Sequence, residues 1–472
     1  MTDHSFIHDD FLLTTTTARN LFHDIAKALP IIDYHCHIDP ASLAGDHRFS
    51  DVAALWVASD PYKHRAMRIN GVPEAEITGP ADGQTKFRRW AETLERCVGN
   101  PLYHWSHLEL ARFFGFTDLL GGHNWQQAWD HCQKVVAQPN FNSRLLLTTV
   151  NAEKVVTSDL VNDNLSVHAK LASVSPEAWQ VQPSLRGDDI VGVDKPEFGA
   201  FVRNLAPTSG HEVTSLGQFL VALDTRLAYF HAHHCRVADH SLDLLAFAPC
   251  QQSTAEGLFD QLLAGKSLEA SAAVQLKSFL LLWLGQRYAE RGWILALHLG
   301  AHRATSSRLR GLVGPAGGYA GIGNTVSVTA LVGLLDALER AGGLPKTLLF
   351  TLNPADNAVL ATLTGSFAQD GVVGKVQFGP AWWYNDHKKG MTEHLEMLSA
   401  HGLLERFVGM TTDSRSLLSL TRHEYFRRVF CDWVGTRVET GEFPQSEVLL
   451  KRLVEAVCYR NAKNWLNGKE ME

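Results

Sequence analysis

The residues best suited to chemistry in this 472-residue chain gather first in PIIDYHCHIDP, residues 30–40. His35 and His37 close an apolar run with only Cys36 between them. On a strand, side chains two apart point to the same face. A strand over 30–38 therefore aims both imidazoles at one point and turns Tyr34 and Cys36 away. Two converging imidazoles invite a metal ion and a third ligand. The plainer alternative is one hydrogen-bonded core histidine beside one turn histidine. Asp413, in GMTTDSRS, supplies the third ligand if its strand lies next to the first; alone among Ser and Thr it reads equally well as a helix N-cap. A His₂Asp set with open coordination positions suits a catalytic divalent ion, zinc first by its donor types, with manganese and iron also compatible.

Those three residues need elements that bring the two ends of the chain together. Short apolar runs rich in β-branched residues recur at 30–38, 153–159, 178–186, 235–240, 293–299, 346–353, 374–381 and 406–413. Between them lie segments with helical apolar spacing, such as 267–292 and 392–406, and Gly292 and Gly342 stand where helices close. Eight strands alternating with helices predict a parallel sheet closed into a (β/α)8 TIM barrel. An open doubly wound sheet is the alternative, but no strand leads into a GxGxxG turn. The stretch 39–150 is too long for one crossover and is rich in Trp, His and helical patterns, including DVAALWVASDPYKHRAMRINGV at 51–72. It reads as a helical insertion lobe after the first strand, with the barrel built from 1–38 and 151–472 and closed by an amphipathic helix at 446–466.

Composition excludes several functions. A net charge of −7 and the absence of a basic tract argue against a nucleic-acid or anionic-membrane partner. FLLLWLG at 279–285 is too short to cross a bilayer, and the N-terminus lacks the basic-then-apolar order of a secretory signal. Seven cysteines without CxxC spacing suggest free thiols in a reducing cytoplasm.

In such a barrel the chemistry sits at the C-terminal strand ends. Those ends carry His35 and His37, Asp159, Arg186, Asp239 and His240, His298, Asn353, Trp382 and Trp383, and Asp413 with Arg415. FHAHHC at 230–235 looks like a metal cluster but reads better as a helix end, where histidines complement the dipole.

HxH closing strand one, His on strand five and Asp closing strand eight resemble the amidohydrolase superfamily. Within it, DYHCH, PLYHWSHLEL (101–110), VADH, NPADN (353–357), GKVQFG, WWYND (382–386) and FVGMTTDSRSLLSLTRHEYFRR (407–428) resemble the uronate (glucuronate) isomerases along the whole chain. The resemblance implies reversible aldose–ketose isomerisation of D-glucuronate to D-fructuronate, and of D-galacturonate to D-tagaturonate, through an enediol. It implies His35, His37 and Asp413 as metal ligands, with Asp413, Tyr62 and His298 catalytic. The substrate carboxylate calls for arginines, whose planar fork matches it, and Arg186, Arg303 and Arg415 are the candidates. Asp239 and Trp382 join the substrate-binding group. No lysine ends strand four, which favours a single metal. The implied partner is a small hexuronate, and a homo-oligomer is compatible with the reading.

Four segments depart from the family pattern. DPYKHR (60–65) has Pro61 where a histidine is usual, with His64 as a conceivable stand-in; RGDD (186–189), RATSSRLRG (303–311) and GPAGGYAGIG (314–323) are the others. All four are expected near the substrate mouth. Two competing functions share the residues: a metal-dependent hydrolase of an acidic sugar lactone or related ester, with Asp413 activating water, and a catalytically inactive binding relative.

Overall fold

The computed structural model describes residues 5–174 and 179–468. Its strands are β1 (Ile31–Cys36), β2 (Ala152–Leu160), β3 (Gln180–Arg186), β4 (Val237–Leu242), β5 (Ile294–Leu299), β6 (Ala301–His302), β7 (Gly321–Ile322), β8 (Lys346–Thr351) and β9 (Val376–Phe378). Seven of them form one parallel sheet in the order β1-β2-β3-β4-β5-β8-β9, while β6 and β7 pair as a small antiparallel ribbon. Every residue of β1 and of β5 is buried, as expected of strands covered on one face by helices and packed inside a barrel on the other. The run expected from 178 begins at Gln180; Ala178 lies outside the described residues.

The eighth expected strand, 406–413, does not form as a regular strand. Its extended run still closes the ring. Asp413 N donates to His35 O at 3.0 Å, His37 N donates to Ser414 O at 2.7 Å, and Val408 N donates to Gln377 Oε1 on β9 at 3.2 Å. Side chains take over the missing ladder bonds: His35 N donates to Thr411 Oγ1 at 2.8 Å, and Thr412 N donates to Asp33 Oδ1 at 2.7 Å. Asp33 is fully buried and also accepts from Thr412 Oγ1 and His423 Nε2. A buried carboxylate with several donors replaces backbone pairing, so the backbone keeps its direction without strand geometry.

Between β1 and β2 the chain forms helices only, the longest being Gly83–Leu94 and Trp125–Val136. The helical pattern at 51–72 is broken in two, Val52–Trp56 and Pro61–Ile69. Proline disfavours helix in the residue before it and fits the first helical position, and Asp60 caps the new helix by accepting from Tyr62 N and Lys63 N. That break places Tyr62 at a helix start. The segments at 267–292 and 392–406 yield helices Ala270–Glu290 and Lys388–His401. Gly292 and Gly342 take φ of +64° and +69° just past helix ends, a region that favours glycine. The closing helix is real but carries a π-turn over Ala456–Arg460. All seven cysteines are free thiols, and among the described residues no helix is long and apolar enough to cross a membrane.

Candidate active site

The ten residues singled out above, His35, His37, Tyr62, Arg186, Asp239, His298, Arg303, Trp382, Asp413 and Arg415, all line one cavity of about 270 Å³. It sits at the C-terminal ends of the sheet strands, the end at which such barrels hold their chemistry.

The centre is built by β1 and the closing run. His35 Nε2 and His37 Nε2 lie 3.5 and 3.0 Å from Asp413 Oδ1. Asp413 has φ of +49°, which turns its carboxylate inward at a cost in backbone strain. Trp382 Nε1 donates to Oδ2 at 2.7 Å, and Trp383 Nε1 donates to the same oxygen. Oδ1 is thereby left facing the imidazoles with no hydrogen-bond partner of its own, as is His35 Nδ1. Burial drives His37 down to about 4 and His298 to about 3, so both rings are neutral and offer lone pairs. Burial opposes ionisation of Asp413, but His37 and His35 hold its carboxyl well below the usual range. At His35 burial works against the charge, but the Asp413 and Asp239 carboxylates together outweigh it and hold its pKa above the ordinary value. The converging ligand atoms of His35, His37 and Asp413, with His37 neutral and the carboxylate ionised, fit a divalent cation.

His35 also converges with Asp239 and His298. Asp239 is already engaged there: it accepts from Ser158 Oγ at 3.1 Å and Ser184 Oγ at 2.9 Å. His298 stacks on Phe350 at 4.7 Å and presents its buried Nε2 without a partner.

Cations surround this centre. Arg186 donates to Ser158 Oγ at 3.1 Å and reaches His37. Arg303 pairs with Asp243 and lies over the Trp382 and Trp383 rings. Arg415 faces the cavity with no hydrogen bond or ion pair from its guanidinium among the described residues. Burial lowers its pKa, and Asp413 works in the opposite sense. Tyr62 brings a buried hydroxyl with no partner, and burial pushes that phenol well above its usual value, so it stays protonated.

The departing segments do meet the mouth: Pro61, Asp188, Pro315, Ala316, Gly318 and Ala320 share the lining. A Cβ on Gly318 would lie 2.2 Å from Pro61 O, so glycine lets that loop close over the helix. His64 does not stand in for the missing histidine: its ring is turned back to Val57 O, 2.9 Å away, because helical geometry puts it on another face from Tyr62. Asp159 and His240 also point elsewhere, to Thr157 and Tyr288. Asn353 caps the turn Pro354–Asp356. Of FHAHHC, His231 accepts from Trp293 and His233 bonds Tyr229 O at the helix end, with no metal-ligand group among the described residues there.

Sequence reasoning missed Arg65, which donates to Ala320 O at 2.9 Å and stacks on Tyr384. It lies three residues after Tyr62 on one helix, a spacing that puts both on one face and could have flagged it. Trp383, a strand-end residue in the sequence, also bonds Asp413, a contact its position alone does not predict.

The family profile for glucuronate isomerase matches residues 3–466. The uronate isomerase of Geobacillus thermodenitrificans is 43% identical over 462 residues, covering 98% of this chain and 99% of the relative. The crystal structure of uronate isomerase from Thermotoga maritima superposes with a TM-score of 0.92 at 31% identity, over 98% of this chain and 100% of that one. Glucuronate isomerase from Caulobacter crescentus gives 0.90 at 25% identity, over 99% and 98%.

Proposed function

The chain belongs to the glucuronate isomerase family, and on that premise we propose that it interconverts D-glucuronate with D-fructuronate and D-galacturonate with D-tagaturonate in the cavity just described. The observation that supports this reading is one cavity holding three converging metal-ligand side chains, a protonated phenol and a guanidinium with no partner among the described residues.

The reaction moves the C2 hydrogen to C1 as a proton and shifts the carbonyl from C1 to C2 through an enediol. Arg415, whose guanidinium has no partner among the described residues, takes the substrate carboxylate, and Arg186 adds positive potential beside it. That anchor sets the distance to the C1–C2 edge. Tyr62 donates its hydrogen to the oxygen on which negative charge develops. Neutral His298 holds a substrate hydroxyl through its free Nε2. Asp413 moves the proton, its second oxygen being tied down by Trp382 and Trp383. Trp382 walls off water on one side of the sugar. His35, His37 and Asp413 would hold a divalent cation, zinc fitting their donor types first, and such an ion supplies charge stabilisation to the enediol oxygens. Helices of 39–150 act as a lobe over the mouth, carrying Tyr62 and Arg65 into it. The free thiols support a cytoplasmic setting.

Incubating the enzyme with D-glucuronate in deuterium oxide tests the assignment. Deuterium appearing at C1 or C2 together with ketose formation is expected. Cleavage of a lactone without any isomerisation would replace this function with the hydrolase.

A further inference from the structure

Tyr62 has an unusual problem of orientation. Its hydroxyl is buried and bonds none of the described residues, so no hydrogen bond at the oxygen fixes where it points. The ring has to be held from behind. Two groups that do not line the catalytic cavity hold it. Trp105 meets it edge-on, 5.9 Å between centroids at 84°. The guanidinium of Arg422 lies 5.5 Å from the Tyr62 centroid and 5.0 Å from that of Trp105, packed against both rings.

Arg422 is 3% exposed. A cation at that depth costs several kcal/mol unless it is paired. Its partner is Asp386, equally buried, which accepts from Arg422 Nη1 at 2.9 Å. The pair joins the parts of the fold that carry the chemistry. Asp386 follows the turn Trp383–Asn385, next to the indoles that orient Asp413. Arg422 opens the helix Arg422–Glu439, which follows the run containing Asp413. Tyr62 sits on the third element, the helix Pro61–Ile69. Filling the same volume with apolar side chains is commonly neutral or stabilising, so stability alone gives little reason for an ion pair here. A cation against an aromatic face attracts it with a preferred geometry, which is what a ring lacking a hydrogen bond needs.

We propose that Arg422, anchored by Asp386, is a positioning residue for Tyr62 and sets its ring so that the hydroxyl points into the substrate cavity. The inference rests on the reading of Tyr62 as a residue acting on the C1–C2 edge.

A double-mutant cycle tests it. Removing one partner of a buried pair leaves an uncompensated charge, so the cycle uses Arg422→Met with Asp386→Leu, which removes both and keeps the volume. That pair of changes is expected to leave the thermal midpoint near the parent's, lower kcat about 10- to 100-fold and move KM less than about 3-fold. Combined with Tyr62→Phe it should cost nothing beyond Tyr62→Phe alone, because both act through one hydroxyl. Arg422→Lys, which keeps charge but not the planar stack, should recover part of kcat. Multiplicative losses in the combined variant, with Tyr62→Phe itself impaired, overturn the positioning role and leave the Tyr62 reading standing. Full activity in Tyr62→Phe overturns both.

Discussion

Trp382 donates its indole N–H to Oδ2 of Asp413 at 2.7 Å, and so decides that Oδ1 is the oxygen turned toward His35 and His37. Outer partners of this kind orient a ligand and raise metal affinity. Trp382→Phe keeps an aromatic ring and loses the donor. Its affinity for zinc, measured by competition with a chromogenic chelator, is expected to fall about 10- to 100-fold. Unchanged affinity would mean that Trp383 alone suffices.

Removing one of the proposed ligands goes further. His35→Ala and Asp413→Ala are expected to lose both the bound cation and turnover while the far-UV circular dichroism stays that of the parent. Elemental analysis of dialysed protein and a coupled reduction assay of the ketose product check this. Full turnover in either variant would remove these residues from the site.

Arg415 lines the cavity with no hydrogen bond or ion pair from its guanidinium among the described residues. If it takes the carboxylate, Arg415→Met forfeits a charge-assisted pair worth about 2–3 kcal/mol, or about 30- to 150-fold in kcat/KM. The corresponding neutral aldose should be indifferent to the change. Equal losses on both sugars would contradict the assignment.

Stability should depend on pH through His394, which is buried and bonds Gly379 O at 2.6 Å. Burial holds its pKa down at about 4, against an ordinary value of 6.5. The unfolded chain therefore binds the extra proton first. The stability due to the neutral ring is complete above pH 6.5 and falls as the pH drops toward 4, by about 3 kcal/mol in all. Urea titrations across that window should show the decline, and His394→Gln should flatten part of it. An identical slope in the variant would assign the acid limb to other groups.

Much of the architecture was legible because burial leaves a one-dimensional trace. Seven of the eight apolar runs became sheet strands within a few residues. The eighth did not, because Thr411, Thr412 and Asp33 take its hydrogen bonds with side chains, which no apolar pattern reports. Pro61 likewise marked a helix start inside a pattern that looked continuous.

Which residues would line the cavity was legible, and how they are wired was not. The i, i+2 spacing on β1 already obliged His35 and His37 to face one way, since alternation is a local property of extended backbone. Arg186 and Arg415 already stood at strand ends, while likeness to a known family supplied Tyr62 and pointed to Arg303. Contacts between residues far apart in the chain were settled only by folding: which oxygen of Asp413 is free, that Arg303 is tied to Asp243 while Arg415 is not, that His64 faces away, and that Arg422 lies against Tyr62. Residue types and spacing are written along the chain, whereas the direction of a carboxylate or a ring is set by neighbours that only the closed ring of strands brings within reach.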